Sequence, residues 1–358
     1  MRWKRRPEGS NWGDFGADDQ LGRTNLIGPE QVCKGVAEVR EGLSFCLSLP
    51  LDFPGGNTLN VRRHAPRLQP TRRDDIDYLN FPLGHAHPGA SDVVSDDQVL
   101  LSLQYSTQWD SFAHVGSLFD AQGDGQERIT YYNGYRGHEH VLGPVDHGLP
   151  SRGRYQPTCC AGAAGASGSS AARALGIENL AVKGMQGRAV LIDIARVFGM
   201  EFQDIGYEQL MHAMRVTGAT VEPGDMVVLR TGFAELVLSM NRQPDAHRLH
   251  NSCAALDGGD PRLLQWITDS GLTALIADNY AVERHPPRHA PTDGARHAVL
   301  PLHEHCLFKL GIPLGELWHL QELAERLHAL GRTRFLLTAP PLRLPGAIGS
   351  PVTPIATI

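Results

Sequence analysis

Hydrophobic residues along this chain fall into short runs that alternate with stretches of helical spacing. The apolar runs predict strands at 43–51, 99–106, 188–194, 225–230, 273–278 and 335–338. Apolar residues at helical spacing, with start and stop signals, predict helices at 29–40, 202–217, 261–270, 303–310 and 317–330. Strands that alternate with helices are typical of α/β proteins, and we expect that class here.

Two long stretches show neither the apolar runs typical of strands nor the apolar spacing typical of helices. Residues 53–97 are rich in Pro, Gly, Arg and Asp, and residues 120–170 run into a tract of small residues at 159–172. Because loops of this length are usually functional or disordered, we expect the first stretch to cover a site. No internal repeat is visible and nothing indicates an independent second domain, so we expect residues 1–358 to form a single domain.

Composition narrows the class of protein. A net charge of −6 argues against nucleic acid as the main partner. The short basic start has no apolar run after it, which argues against a secretory signal, and no stretch is long enough to span a bilayer. The six cysteines form no CxxC pair, and we expect the adjacent Cys159 and Cys160 to be two thiols rather than a vicinal disulfide. These features favour a cytoplasmic protein without a membrane partner.

Residues 104–115 combine polar and large apolar side chains in an unusual way. Gln104, Gln108, Asp110 and His114 alternate with apolar residues that include Trp109. Polar groups in such surroundings are costly to bury unless they are paired or used. An Asp four residues before a His can hold the imidazole in one tautomer, so His114 is a candidate general base. Gln108 either donates to a developing oxyanion or bonds to the backbone.

Several residues outside this run are further candidates. Asp278 ends a predicted strand, where acids in α/β proteins often face a site. Glu316 has either a metal or substrate role, or a structural role as a carboxylate at a helix start. Glu283 is followed by Arg284, which favours a surface ion pair. Trp12 and Trp109 are either core residues or part of a cage for a planar substrate.

A set of short motifs occurs in an order and spacing typical of one family. They are Asn-Trp-Gly at 11–13, Asn-Leu-Ile at 25–27, Thr-Gln-Trp-Asp at 107–110 followed by His114, Tyr-Asn-Gly at 132–134, Gly-Arg at 187–188, Arg-Thr-Gly at 230–232, Gly-Glu at 315–316, Pro-Pro-Leu at 340–342 and Gly-Ser-Pro at 349–351. In these residues the chain resembles the putative cyclase family, which includes kynurenine formamidase and isatin hydrolase. The resemblance covers nearly all of the chain. It implies an α/β protein with a swivelling β/β/α fold, a mixed sheet or barrel-like core flanked by helices, and a homodimer or homotetramer.

The resemblance also implies roles for individual residues. In the family, two His and an Asp of the polar run bind metal, and the last His is a catalytic acid/base. Here Gln104 and Gln108 stand where the two His are expected, whereas Asp110 and His114 are retained. A second metal position would consist of Asp110, His303 and Glu316. His305 is the alternative to His303.

The glutamines weaken the expectation of a metal. Carboxamides bind divalent metals less well than imidazoles do, so we expect either one divalent ion, Zn or Mn, or none. The predicted function is hydrolysis of a small amide, cyclic amide or lactone, with water as the nucleophile and catalytic groups on His114, Asp110 and Gln108. Substrate contacts are expected from Gln104, Trp109, Trp12 and Asp278. The alternatives are a metal-independent cyclase, dehydratase or isomerase, and a non-catalytic small-molecule-binding protein.

Overall fold

A computed structural model describes residues 1–143, 146, 170–287 and 297–358. Its largest element is a nine-stranded sheet. In chain order the strands are β1 (Ser44–Cys46), β2 (Gln108–Asp110), β3 (Gln186–Asp193), β4 (Met226–Arg230), β5 (Ala274–Ala277), β6 (Leu314–Glu316), β7 (Arg334–Thr338), β8 (Gly349–Pro351) and β9 (Ile355–Thr357). Across the sheet they lie in the order β1-β9-β7-β3-β4-β5-β6-β2-β8.

The sheet is mixed. Strands β3, β4, β5 and β6 run parallel to one another. The remaining pairs, including β3 with β7 and β6 with β2, are antiparallel. The residues of β4 and β5 are almost all buried, as expected for central parallel strands covered on both faces. At the other end, β6 pairs with β2 so that Glu316 lies opposite Gln108 and Leu314 opposite Asp110. This antiparallel pair carries the polar run into the sheet.

Helices flank the sheet. They are α1 (Pro29–Val36), α2 (Glu178–Lys183), α3 (Ile194–Phe198), α4 (Tyr207–Thr217), α5 (Phe233–Ser239), α6 (Ala246–His250), α7 (Pro261–Ser270), α8 (Pro301–His303), which continues as a π-helix over Glu304–Leu310, and α9 (Gln321–Ala329). The predicted class, a mixed sheet flanked by helices, is confirmed. One large apolar cluster fills the space between sheet and helices, and a smaller one packs residues 49–59 against α5.

The strand predicted at 99–106 is wrong. Asp97–Leu100 does form a strand, but it pairs with Arg67–Pro70 in a ribbon whose side chains are almost all exposed. The strand that enters the main sheet is the polar segment β2 itself. Its edges are paired with β6 and β8, and its side chains pack against residues distant in sequence, such as Trp318 and His303. Local hydrophobicity does not reveal these partners.

Three other boundaries differ from prediction. The helix expected at 317–330 begins only at Gln321, because Leu317 has a positive φ of 58° and Glu316 belongs to β6. Glu316 is therefore not at a helix start. The strand expected at 43–51 is reduced to β1, and the helix expected at 202–217 begins at Tyr207, after a short strand, Gln203–Ile205, that pairs with Ala254–Leu256. The C-terminal tail supplies β8 and β9.

The two irregular stretches contain short paired strands. In the first, Arg72–Arg73 pairs with Ile76–Asp77 and Phe81–Pro82 pairs with Val93–Val94. In the second, Arg128–Thr130 pairs with Ser117–Phe119, and Val141–Leu142 pairs with Ala171–Ala172. Cys159 and Cys160 lie outside the described residues. Within the part of the chain that is described, no helix has the length and apolar character needed to cross a membrane.

Candidate active site

The pairing of β2 with β6 brings three polar side chains together. Gln108 and Asp110 are two residues apart on β2, so they share one face of the sheet. Glu316 is the cross-strand partner of Gln108. All three residues are buried. Trp109, between the two polar residues, points away from them and packs against Trp318 on the other face.

His303 completes the cluster from the end of α8. Its Nε2 lies 3.4 Å from Glu316 Oε1, and its side chain is almost fully buried. One ligand atom from each of Asp110, His303 and Glu316 lies within 4.8 Å of the other two. The structure therefore brings together the three residues that the sequence predicted as a metal position.

Glu283 fixes the orientation of His303. Its Oε1 accepts hydrogen bonds from His303 Nδ1 at 2.7 Å and from the His303 backbone N–H at 2.8 Å. Its Oε2 accepts from the Leu302 backbone N–H at 2.9 Å. The carboxylate thus holds both the start of α8 and the imidazole ring, leaving Nε2 directed at Glu316. The predicted surface pair of Glu283 with Arg284 is wrong, because Glu283 is buried and Arg284 instead pairs with Asp204.

The backbone before Glu283 is strained. Ala281 and Val282 have positive φ values of 69° and 55°, a region that is costly for residues with a Cβ and most costly for a β-branched one. Asn279 helps to hold the turn, because its Nδ2 donates to the carbonyl oxygens of Val282 at 3.4 Å and Ala254 at 3.0 Å. The fold therefore keeps an unfavourable conformation at the residues that deliver the Glu283 carboxylate.

Gln108 links the two carboxylates of the cluster. Its Nε2 donates to Asp110 Oδ1 at 3.2 Å and to Glu316 Oε2 at 3.3 Å. Gln108 Oε1 and Asp110 Oδ2 are buried and have no hydrogen-bond partner among the described residues. Unsatisfied buried oxygens of this kind call for an explanation such as an ion or a ligand.

Burial and neighbouring charges shift the protonation of the cluster. Burial, against the opposing charges of His114 and His303, raises the pKa of Asp110. Burial alone would lower the pKa of His303, but its hydrogen bonds to Glu283 and Glu316 outweigh this effect and raise that pKa to about 10. Burial would raise the pKa of Glu316, yet the His303 hydrogen bond and the Arg63 charge lower it. Without an ion, His303 Nε2 therefore keeps a proton directed at Glu316, and a cation bound at Nε2 would replace that proton.

His114 connects this cluster to a cleft. Its Nε2 lies 4.0 Å from Asp110 Oδ1, too far for a hydrogen bond but close enough for electrostatic coupling. With 24% of its side chain exposed, His114 is more accessible than Gln108, Asp110, His303 and Glu316, which are all buried. The cleft has a volume of about 700 Å³, and Gln104, Arg63 and Tyr131 also line it. His114 is thus placed to exchange protons with a molecule in the cleft.

Arg63 is a site residue that sequence reasoning missed. Its Nη1 donates to the backbone oxygen of Gln104 at 2.7 Å and lies 4.0 Å from Glu316 Oε2. The stretch 53–97 was expected to cover a site, and its Arg62 and Arg63 line the cleft beside His114. Nothing in the sequence distinguishes Arg63 from the other arginines of that stretch.

The remaining predicted residues lie away from the cluster. Trp12 is buried against Phe308 and Trp3, and Trp109 donates through Nε1 to the Ala339 oxygen, so both side chains belong to the core. Asp278 Oδ1 accepts hydrogen bonds from the backbone N–H and the hydroxyl of Thr231, and Oδ2 accepts one from the Gly232 backbone N–H. His305 contacts Thr268 through Nε2 at 2.9 Å, which leaves His303 as the histidine of the cluster.

The donor set of the cluster suits a divalent cation. Two carboxylates and one imidazole, the last oriented by Glu283, match the pattern of a metal-ligating His whose second nitrogen is held by a carboxylate. Asp110 Oδ2 and Gln108 Oε1, two buried oxygens without a hydrogen-bond partner in the described part of the chain, belong to side chains of this same cluster. Asp110, His303 and Glu316 would hold the ion, with Gln108 as a weaker neighbour.

The fold and the cluster define an α/β protein whose mixed sheet carries a buried carboxylate–imidazole site beside an open cleft. A family model of the putative cyclases matches residues 47–284, about two thirds of the chain. The chain belongs to the putative cyclase family.

Solved structures show the same fold. A crystal structure described as a novel cyclase is 31% identical, with a TM-score of 0.70 over 98% of this chain and 99% of that one. Isatin hydrolase A from Labrenzia aggregata, bound to benzyl benzoate, is 13% identical, with a TM-score of 0.52 over 91% of this chain and 97% of that one. Isatin hydrolase A from Ralstonia solanacearum is 13% identical, with a TM-score of 0.50 over 90% and 94% of the two chains. No curated protein matches the chain by sequence.

Proposed function

We propose that this protein is a hydrolase that uses a divalent cation to cleave a small amide, cyclic amide or lactone. The observation that carries the proposal is the convergence of Asp110, His303 and Glu316 within 4.8 Å beside a cleft. Isatin hydrolases share the fold, although at 13% identity this likeness supports only the architecture. A cation held there would polarise a carbonyl and lower the pKa of water.

The chain's own residues supply positioning and proton transfer. His114 lies at the cleft surface and takes a proton from the attacking water, while the nearby Asp110 carboxylate stabilises the imidazolium that forms. Glu283 keeps the His303 ring in one orientation. The apolar walls of the cleft, which include Leu103, Leu344 and Ile348, accommodate the body of a small substrate.

The Gln108 amide supports an alternative reading. Because its N–H groups donate to both Asp110 and Glu316, the two carboxylates are bridged by the chain itself. This arrangement would suit a metal-independent enzyme that moves protons with His114, or a binding protein without catalysis. Metal content and turnover together separate these possibilities from a metal-dependent hydrolase.

The test combines metal analysis with hydrolysis assays. Purified protein is chelated, reconstituted with Zn²⁺ or Mn²⁺, and assayed for metal content and for hydrolysis of formanilides, cyclic imides and lactones. We expect about one ion per chain, and loss of both ion and turnover in Asp110→Asn and Glu316→Gln. Glu304→Gln is the control, because Glu304 follows His303 but its carboxylate bonds to Ser117 Oγ instead. Equal metal content in the site variants and the control would contradict the proposal.

A further inference from the structure

The cleft beside His114 has a positive lining although the whole chain carries a net charge of −6. Arg62 and Arg63 line it, and among the described residues that line it there is no Asp or Glu. Its other walls are largely apolar, from Leu103, Ala113, Leu344, Pro345, Ala347 and Ile348. A cleft lined by one sign of charge with apolar walls concentrates ligands of the opposite charge.

The two arginines are presented by an anchored turn. The Arg63 backbone N–H donates to the Asn60 carbonyl oxygen at 3.0 Å, and the Arg62 N–H donates to Asn60 Oδ1 at 3.0 Å. Asn60 Nδ2 donates in turn to the Tyr280 hydroxyl at 2.9 Å. The turn is thereby fixed to residues that follow β5, next to the strained segment that delivers Glu283.

The guanidinium of Arg63 is held in place on one side. Its Nη1 donates to the Gln104 oxygen and faces Glu316, and its Cζ lies 5.6 Å from the centre of the Tyr280 ring. Within the described part of the chain, the polar contacts of Arg63 all use Nη1. A planar guanidinium fixed through one nitrogen can offer its remaining N–H groups to a carboxylate with little further loss of entropy.

We propose that this cleft selects substrates that carry a carboxylate on a small apolar body, with Arg63 as the main recognition residue and Arg62 beside it. The inference deepens the proposed function, because it names the substrate class of the same site. The anionic group binds the arginines at the mouth. The apolar body lies along Leu103, Leu344 and Ile348, and the scissile bond faces His114 and the buried cluster.

Binding of a matched pair of probes tests the inference without any turnover. Benzoate and benzamide have nearly the same shape and differ in charge, and calorimetry or ligand-observed NMR gives both affinities. We expect the protein to bind benzoate at least tenfold more tightly than benzamide. Arg63→Gln should bring this ratio close to one, and Arg63→Lys should retain part of it. Arg72→Gln is the control, because Arg72 lies on an exposed ribbon outside the cleft.

The outcomes separate the two proposals. Equal binding of the two probes overturns the anionic substrate class, whatever hydrolysis assays show. A preference for benzoate in a protein without hydrolytic turnover supports the anion site and overturns the proposed function instead. A third outcome is that chelation abolishes the preference for benzoate while Arg63→Gln retains it. The carboxylate then binds an ion rather than Arg63, and the inference is wrong. Should Arg63→Gln not fold, Arg62→Gln and the salt dependence of benzoate binding decide, because salt-independent binding would contradict a charge-based site.

Discussion

Replacement of Glu283 with glutamine keeps the size of the side chain and removes the charge that orients His303. The Glu283 carboxylate accepts three hydrogen bonds, from His303 Nδ1, the His303 backbone N–H and the Leu302 backbone N–H. A carboxamide has only one oxygen, so in either orientation its NH₂ group faces at least one of these donors. The imidazole then loses its charge-assisted partner, or the helix start loses an acceptor.

The size of the effect follows from these contacts. A hydrogen bond to a charged group contributes roughly 1.5–3 kcal/mol, and a buried donor left without an acceptor costs roughly 1–3 kcal/mol. Loss of a residue that orients a metal-ligating His typically lowers metal affinity by about 10–100-fold. We therefore expect Glu283→Gln to weaken Zn²⁺ or Mn²⁺ binding by about that factor, with some loss of stability.

The assay is competition for the ion against a chelator, together with a thermal unfolding scan. Asp260→Asn is the matched control. Asp260 also accepts hydrogen bonds from three backbone N–H groups, that of Tyr207 at the start of α4 and those of Arg262 and Leu263 at the start of α7. Its hydrogen bonds go to residues other than His303. This control should lose stability and keep its metal affinity, which separates orientation of the ligand from general destabilisation.

A second pair of variants tests the same carboxylate by adding a methyl group at one of two neighbouring glycines. A Cβ at Gly258 would lie 2.2 Å from Glu283 Oε2 and 2.9 Å from the Leu302 nitrogen, so Gly258→Ala must displace Glu283. At the neighbouring Gly259 the nearest atom is Asp257 Oδ1 at 3.2 Å, and alanine is better tolerated there. Folded Glu283→Gln and Gly258→Ala proteins that bind metal as tightly as wild type would refute the role of Glu283.

Three further outcomes are expected. Gln104→His/Gln108→His should increase affinity for Zn²⁺ in a chelator competition, because imidazole is the stronger donor, and unchanged affinity would contradict our reading of the two glutamines. Burial and the charge of Glu235 raise the pKa of Asp278 from 3.8 to about 7. The contribution of Asp278 to stability is therefore present below pH 3.8 and is lost as the pH rises through 7. In denaturant melts, wild type should lose up to about 1.4 kcal/mol of unfolding free energy per pH unit relative to Asp278→Asn, and parallel profiles would argue against this. Gly35→Ala should destabilise the fold by about 1–3 kcal/mol although alanine has the better helix propensity, because the new Cβ would lie 2.8 Å from both Gly187 and Leu336. Gly28→Ala is the control: its Cβ would enter open space, so it should cost less in the same melts.

The elements that sequence predicts best are those whose signals are local. Helix α7 begins and ends as predicted, because Asp260 caps it, Pro261 occupies its first turn and Gly271 ends it in a left-handed conformation. Strands β4 and β5 are continuous apolar runs between turn residues and lie close to their predicted positions. In each case the information lies within a few residues.

The parts of the site that sequence reasoning misplaced depend on distant partners. The polar strand β2 is held in the sheet because β6 and β8 pair with its two edges. Both partners are short segments without a strand signal of their own. Glu283 precedes an arginine and therefore resembles a surface residue in the sequence. It is buried because residues 301–303, far along the chain, pack against it and His303 donates hydrogen bonds to it. The Arg63 side chain is positioned by partners far away in sequence, among them the Gln104 backbone and the Tyr280 ring.

Gln108 stands where the family resemblance implies a His, and we expect this difference to change which ions the site favours. Two buried carboxylates at Asp110 and Glu316 would repel one another, and the Gln108 N–H groups reduce that cost by donating to both. Rotation of the carboxamide by 180° would instead present Oε1, a hard oxygen donor. The donor set would then contain oxygens from Asp110, Glu316 and Gln108 and a single imidazole nitrogen, from His303. Oxygen-rich sets suit Mn²⁺ and similar hard ions, whereas the missing imidazoles are the ligands that favour zinc. The Gln108 carboxamide thus stabilises the pair of carboxylates as a hydrogen-bond donor, and after rotation it would serve a bound ion as a weak oxygen ligand.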